Sequence, residues 1–353
     1  IAAVFQGYLW DDRIVPMIGI RRDVNRAKSS LGEGTTDPAS FGALDEVSAT
    51  TTTYGVVVHP LKWLDLYYNK SENFVPNAGT VDLLGNAVGS PIGESKDYGF
   101  SVSLLDNKLS AKLGWYETKA AASPSAIANF PLAQWVLTFQ EVGYSGWNGG
   151  LSPFKDLANK AGVVYKRAIA DGIIAGDSRL ANAYTSDQVA KGLELELTYN
   201  VNKNWRIFLT ASKQEAIETN IAHNLTAFIE ERVAYWKSVP GLWTGQTTTA
   251  SWNTTPQTGE ELYNANILPE LIKYQAAEGK PSTQLAKWRG AVVTNYMFSE
   301  GPLKGFNAGA GLRYIAGSVI GNPVIRNSTG DIIALDTEHP YENSTYVSAD
   351  VWV

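Results

Sequence analysis

Glu194 and Glu196 are the carboxylates whose spacing comes closest to chemistry. Two residues apart on an extended strand, they share one face, where such a pair could serve as acid and base or could line a wet cavity. His59, His223 and His339 lie far apart and show no HExxH spacing, so no helix-borne zinc site is encoded. Gly143-Tyr144-Ser145-Gly146-Trp147 lacks the third glycine of a nucleophile elbow and the strand-turn-helix setting that motif needs. With no cysteine in the chain, thiol catalysis, thiolate metal sites and disulfides are excluded together. The sequence therefore offers no catalytic and no metal-ligating constellation, calls for no cofactor, and reads as a protein that is not an enzyme.

Binding chemistry is better represented. Trp135, Tyr144, Trp147, Tyr235, Trp236, Trp243 and Trp252 fall in two long connections, 120–186 and 216–284. There, flat amphipathic rings could stack on a sugar or a catecholate, or could pack the connections together. Arg21, Arg206 and Arg313 could attract an anion or balance Glu194 and Glu196.

The element that must hold the two glutamates is Lys191 to Ala211. Leu193, Leu195, Leu197 and Tyr199 share one parity, and Gly192, Glu194, Glu196 and Thr198 the other, which is the period of a strand. After a polar turn the alternation resumes, with Trp205, Ile207, Leu209 and Ala211 opposed to Arg206, Phe208, Thr210 and Ser212. Each arm runs about ten residues, the 9–11 that a tilted strand needs to cross a bilayer. Tyr199 and Trp205 flank the turn, where an interfacial girdle belongs.

Similar hairpins recur. Ala2 to Trp10 and Arg13 to Val24 flank a two-residue turn, Asp11-Asp12; Thr51 to Val58 and Lys62 to Tyr68 flank His59-Pro60-Leu61. An irregular stretch, Asn69 to Ser95, leads to Lys96 to Leu105 and Lys108 to Glu117 around Asp106-Asn107. Leu285 to Phe298 and Gly305 to Tyr314 form another hairpin, and a last strand begins near Tyr346. The expectation is an all-β, antiparallel up-and-down barrel of about eleven strands, with short turns on one rim and long loops on the other. Aromatics mark both strand ends: Trp10, Trp63, Phe298 and Phe306 beside the short turns, and Tyr67, Tyr98, Trp115 and Tyr314 far from them. Phe306, Ala308, Ala310 and Leu312 are expected to face lipid. Arg21, Glu194, Glu196, Arg206 and Arg313 are expected to face the lumen, because a cation on the lipid side costs about 2–4 kcal/mol near the midplane. The long connections read as partly helical: Ile217, Ile221, Leu225, Phe228 and Val233 space as one helix, and Glu260 to Ala277 as another containing Pro269.

Composition agrees with a barrel. Only 18% of the 353 residues are charged, against 11 Trp and 17 Tyr. A net charge of −6 without a basic cluster excludes nucleic acid as a partner. The chain begins at Ile1 without an initiator Met or signal peptide and stops at Val353 inside an alternating segment, Val347 to Val353, so residues 1–353 are expected to be an internal fragment of a longer protein.

The segments WDDRIVPMIGIRRDV, YGVVVHPLKWLDLYYNKSENFVP, KDYGFSVSLLDNKLSAKLGWYET, KGLELELTYNVNKNWRIFLTAS and FSEGPLKGFNAGAGLRYIAG resemble successive barrel strands of TonB-dependent outer-membrane receptors. That resemblance implies a plugged barrel of about 22 strands in the outer membrane of a Gram-negative-type bacterium, of which residues 1–353 are expected to be a partial barrel without the plug domain or the closing strands. It also implies outer-membrane lipid around the barrel, the TonB complex reached through an N-terminal region, and import of a scarce small-molecule ligand: a siderophore, cobalamin or a glycan. A passive porin and a soluble β-rich carbohydrate-binding protein are the competing readings.

Overall fold

The computed structural model describes residues 1–28, 44–77, 88–126, 183–238, 243–244, 248–250 and 253–353. Its centre is one 11-stranded antiparallel sheet. Eight strands enter it in chain order: β1 (Ala2–Gln6), β2 (Ile14–Ala27), β3 (Asp45–Leu61), β4 (Leu64–Phe74), β5 (Ile92–Leu104), β6 (Leu109–Ala126), β7 (Ala183–Asn200) and β8 (Trp205–Thr219). A long connection follows, carrying α1 (His223–Ser238), β9 (Thr248–Ala250), β10 (Asn253–Gln257), α2 (Gly259–Asn266) and α3 (Leu268–Ala277). The sheet resumes with β11 (Trp288–Met297) and β12 (Asn307–Ile315). Four short strands, β13 (Val319–Gly321), β14 (Val324–Arg326), β15 (Ile332–Leu335) and β16 (Tyr341–Glu342), precede β17 (Tyr346–Trp352), which completes the sheet. Every neighbouring pair is antiparallel and short turns alternate with long connections, as the hairpin pattern requires.

Residues directly opposite across antiparallel strands point to the same side, so the register assigns faces without ambiguity. Leu195 stands opposite Leu113 on β6 and Ala211 on β8; Leu197 stands opposite Leu209. The row continues through Val292 to Leu312. Glu196 stands opposite Lys112 and Thr210, and the same face carries Ala291 and Arg313. Along these rows one side of the sheet is therefore apolar and the other polar.

The compact core lies elsewhere. Among the described residues, Ile221, Leu225, Ile229, Val233, Ile267, Leu271 and Ile272 are buried, and all belong to the connection between β8 and β11. Sheet residues such as Ile18, Leu66, Tyr68, Leu312 and Val347 are exposed. An 11-stranded sheet that leaves its apolar face uncovered is organised for an apolar surrounding. Among the described residues no helix is long and apolar enough to cross a membrane, which has no bearing on strands that cross one.

Several local expectations change. The turns at Asp11-Asp12 and Asp106-Asn107 are four residues long, and Trp10, Asp11 and Asp12 (φ 54°, 53°, 63°), like Leu105, Asp106 and Asn107 (56°, 55°, 63°), take left-handed backbone. Aspartate and asparagine tolerate that region better than other residues bearing a β-carbon. β4 and β5 run to Phe74 and from Ile92, shortening the irregular stretch at both ends. Ile217 belongs to β8, opposite Val189, and α1 begins at His223. The second helix is two: α2 is closed at its start by a Thr258–Glu261 capping box, and α3 begins afresh with Pro269 in its first turn. β13 pairs with β16 and β14 with β15, so the connection from β12 to β17 is one long interrupted hairpin.

Candidate functional site

The five charges expected to face inward do share one face. Arg21 on β2 is opposite Thr51, and its Nη2 lies 2.8 Å from Asp23 on the same side. Glu194, Glu196 and Arg313, with Arg289, Thr210 and Ser212, line a shallow depression of about 440 Å³. Arg206 stands apart near the short turns, donating from Nε to Asn200 Oδ1 at 2.8 Å. The inner face thus brings Glu194, Glu196 and Arg313 together and leaves Arg21 and Arg206 to local partners. Arg289, unmarked from sequence, is a full member of the depression; its parity beside Trp288 was the available signal.

Aromatic rings lying across glycines shape the same face. Tyr67 spans Gly99 and Gly114, Tyr116 covers Gly192, and Trp352 lies on Gly309. Tyr67 therefore points inward, not into the outer girdle expected for it. Its neighbour Tyr68 takes that place, opposite Tyr98, which stacks on Trp115 at 5.9 Å between ring centroids. Lys112 Nζ sits 5.1 Å over the Tyr67 ring.

His59 Nδ1 lies 2.6 Å from Asp65 Oδ1, and Ser101 Oγ donates to Asp65 Oδ2 at 2.9 Å. The carboxylate sits between the other two groups, so the imidazole has no hydroxyl to deprotonate and the trio is no nucleophile site. His339 Nδ1 lies 3.0 Å from Asp336 Oδ2 in the β15–β16 connection. Among the described residues no three His, Cys, Asp or Glu side chains gather to hold a metal.

At the long-connection rim, the β8–β11 connection packs into a helical cap. Glu278, just after α3, accepts the N–H groups of Asn220 (2.8 Å) and Ile221 (3.0 Å), and Asp187 of β7 accepts from Asn220 and from the Ala122 N–H. Tyr184 of β7 meets Tyr274 of α3 at 5.2 Å. Burial, then the neighbouring Tyr184 and Glu270, pushes the Tyr274 hydroxyl far up from its ordinary value. Between the end of β8, α3, β13 and Pro340 lies a largely apolar cavity of about 560 Å³; Lys280 is among its lining residues, and its Nζ lies 3.4 Å from Glu338.

Of the seven aromatics expected to meet ligand, Trp135, Tyr144, Trp147 and Trp252 lie outside the described residues. Tyr235 and Trp236 are on α1. Trp243 is 8% exposed, packed on Tyr263 at 5.5 Å with Lys237 Nζ 5.2 Å over its ring. It holds the cap together, the packing role that was open to it.

No protein-family model and no curated protein matches the sequence. Solved structures do match. The ferripyoverdine receptor of the outer membrane of Pseudomonas aeruginosa is similar over 99% of this chain and 31% of its own, with a TM-score of 0.50 and 10% identity. The ferric yersiniabactin uptake receptor of Yersinia pestis is similar over 99% of this chain and 36% of its own, with a TM-score of 0.50 and 7% identity. The chain thus spans about a third of the length of the receptors it matches. At such identities the likeness is one of fold, and the fold is that of a stretch of the transmembrane β-barrel of the outer-membrane receptors that the five hairpins resemble.

Proposed function

We propose that residues 1–353 form part of the barrel of a TonB-dependent outer-membrane receptor that takes up a scarce ligand such as a ferric siderophore. The observation that carries this reading is the division of the sheet over the half nearer the short turns: rows of leucine, valine, tyrosine and tryptophan on one side, and on the other Glu194, Glu196, Arg313, hydroxyls and glycines with rings laid over them. A soluble sheet of this size would cover its apolar face with its own layers, whereas a barrel leaves that face to lipid. The fold of the matched receptors and the strict alternation of short and long connections support it further.

Ligand recognition in this reading belongs to the long-connection rim, with the inner charges as a wet lining. The test is uptake of radiolabelled ferric siderophore by cells producing the complete gene product, with and without the energy-coupling partner. The expected result is energy-dependent uptake that is lost on deletion of residues 131–156, while a heat-modifiable barrel remains. Single Trp→Ala changes there should weaken binding about tenfold at most, since one aromatic stack contributes about 0.5–1.5 kcal/mol. Flux of small solutes that needs no energy coupling would assign a porin instead.

A further inference from the structure

The cavity between α3 and β13 has walls that are each fixed by contacts of their own. The segment after α3 is laid against β8 and β13 by backbone pairing: the Gly279 N–H donates to Glu218 O and the Ser282 N–H to Ala216 O, both at 2.8 Å, and the Gln284 N–H to Val319 O at 2.7 Å. Opposite, Asn343 Oδ1 accepts the Ser318 N–H at 2.6 Å and the Pro323 carbonyl accepts that of Asp336 at 2.9 Å, which pins the interrupted hairpin. α3 is anchored by Tyr274 against Tyr184 and by the buried Leu271 and Ile272. Elsewhere the cap is packed tight, with Ile229 and Ile267 fully buried. Here about 560 Å³ stays open, within the range of about 300–1,000 Å³ typical of small-molecule sites.

The lining decides what fits. Ile221, Ala277, Val319, Ile320 and Leu335 give an aliphatic surface, and none of the lining residues is aromatic. A sugar or a catechol finds no ring to stack on, whereas an alkyl chain needs none. Ile320 is 52% exposed, so part of this apolar lining still meets water. Among the charged lining residues, Lys273 and Lys280 outnumber Glu218. Glu218 already accepts from Gln188 Nε2 at 3.3 Å, and Lys273 meets Glu270 at 3.3 Å. Lys280 meets Glu338 at 3.4 Å, with side chains 51% and 78% exposed; a pair so exposed contributes little, and another carboxylate can replace it.

We propose that this cavity binds an aliphatic carboxylate of medium chain length. The alkyl chain lies between α3 and β13, and the carboxylate takes Lys280 in place of Glu338. The site depends on the cap alone and is independent of what the barrel imports.

The test uses decanoate carrying a terminal diazirine, photolysed with the complete gene product in neutral detergent, with the labelled residues located by peptide mass spectrometry. Mapping by position separates the cavity from probe dissolved in the micelle, which labels the apolar face of the sheet. The expected result is labelling within residues 273–283 and 319–340 that decanoate competes and decyltrimethylammonium does not. Gly321 borders the cavity with open space where a β-carbon would sit, so Gly321→Phe fills it. That variant should lower the labelling by about tenfold or more, from about fourfold per displaced methylene. Ala276→Leu, filling from α3, should lower it too, and each variant is scored on its heat-modifiable fraction. Lys280→Gln should weaken labelling about fivefold, the most an exposed pair contributes. Lys304→Gln, in a short turn, should leave it unchanged. Undiminished labelling in both filled variants, labelling confined to the sheet, or equal competition by the ammonium would overturn the proposal.

Discussion

The Tyr67 hydroxyl stands where a β-carbon on Gly114 would have to be. Tyr67 is on β4 and Gly114 on β6, with Gly99 of β5 between them in one row. The ring thus lies across two strands, covering backbone that glycine leaves bare. Gly114→Val forces the ring out and should destabilise the barrel by about 1–3 kcal/mol, as overpacking does. Adding Tyr67→Ala should recover part of that loss, a coupling of about 0.5–3 kcal/mol between contacting residues. Urea titration of the heat-modifiable band measures it, and strictly additive effects would show that the two residues do not touch.

Leu195 and Glu194 are neighbours in sequence and face opposite sides of the sheet. Leu195→Arg places a cation against hydrocarbon at a cost of about 2–4 kcal/mol and should block assembly. Glu194→Arg meets the wet face and should be tolerated. The yield of folded barrel in the outer membrane separates the two, and equal yields would reverse or abolish the assigned register.

What could be read in advance was whatever lies within one hairpin. Period-two alternation placed β7 and β8 and put the five charges on one face, because parity survives any error in where a strand ends. Relations between hairpins were hidden: nothing near Tyr67 announces that Gly99 and Gly114 will lie beneath it, so the choice between Tyr67 and Tyr68 for the girdle fell the wrong way. Ile217 satisfied a helical spacing and a strand parity at once, and pairing with Val189 decided it. The three-residue strands β13 and β14 are too short for periodicity to register. Trp243 shows that an aromatic in a long connection can be core to that connection and not surface.

Tyr274 gives the cap an alkaline limit. Burial holds its proton in the folded cap, so the folded value lies above the unfolded one, about 10. The stability this contributes is full below pH ~10 and is lost as pH rises toward the folded value. Helical ellipticity of the cap should therefore fall together with tyrosinate absorbance near 295 nm, well above pH ~10. Tyr274→Phe keeps the ring packing, removes the titration, and should move that transition higher. An unchanged transition in the variant would mean that another group sets the limit.

The division of the sheet into a lipid face and a wet face can be read one residue at a time, because the chain has no cysteine of its own. Single cysteines placed from Leu193 to Thr198 in the complete gene product, assembled in the outer membrane, are treated with a charged water-soluble maleimide and with a lipid-soluble one. The account predicts strict alternation: positions 194, 196 and 198 take the charged reagent, and positions 193, 195 and 197 take only the lipid-soluble one. Uniform labelling along the strand by the charged reagent, or alternation of the opposite phase, would contradict it.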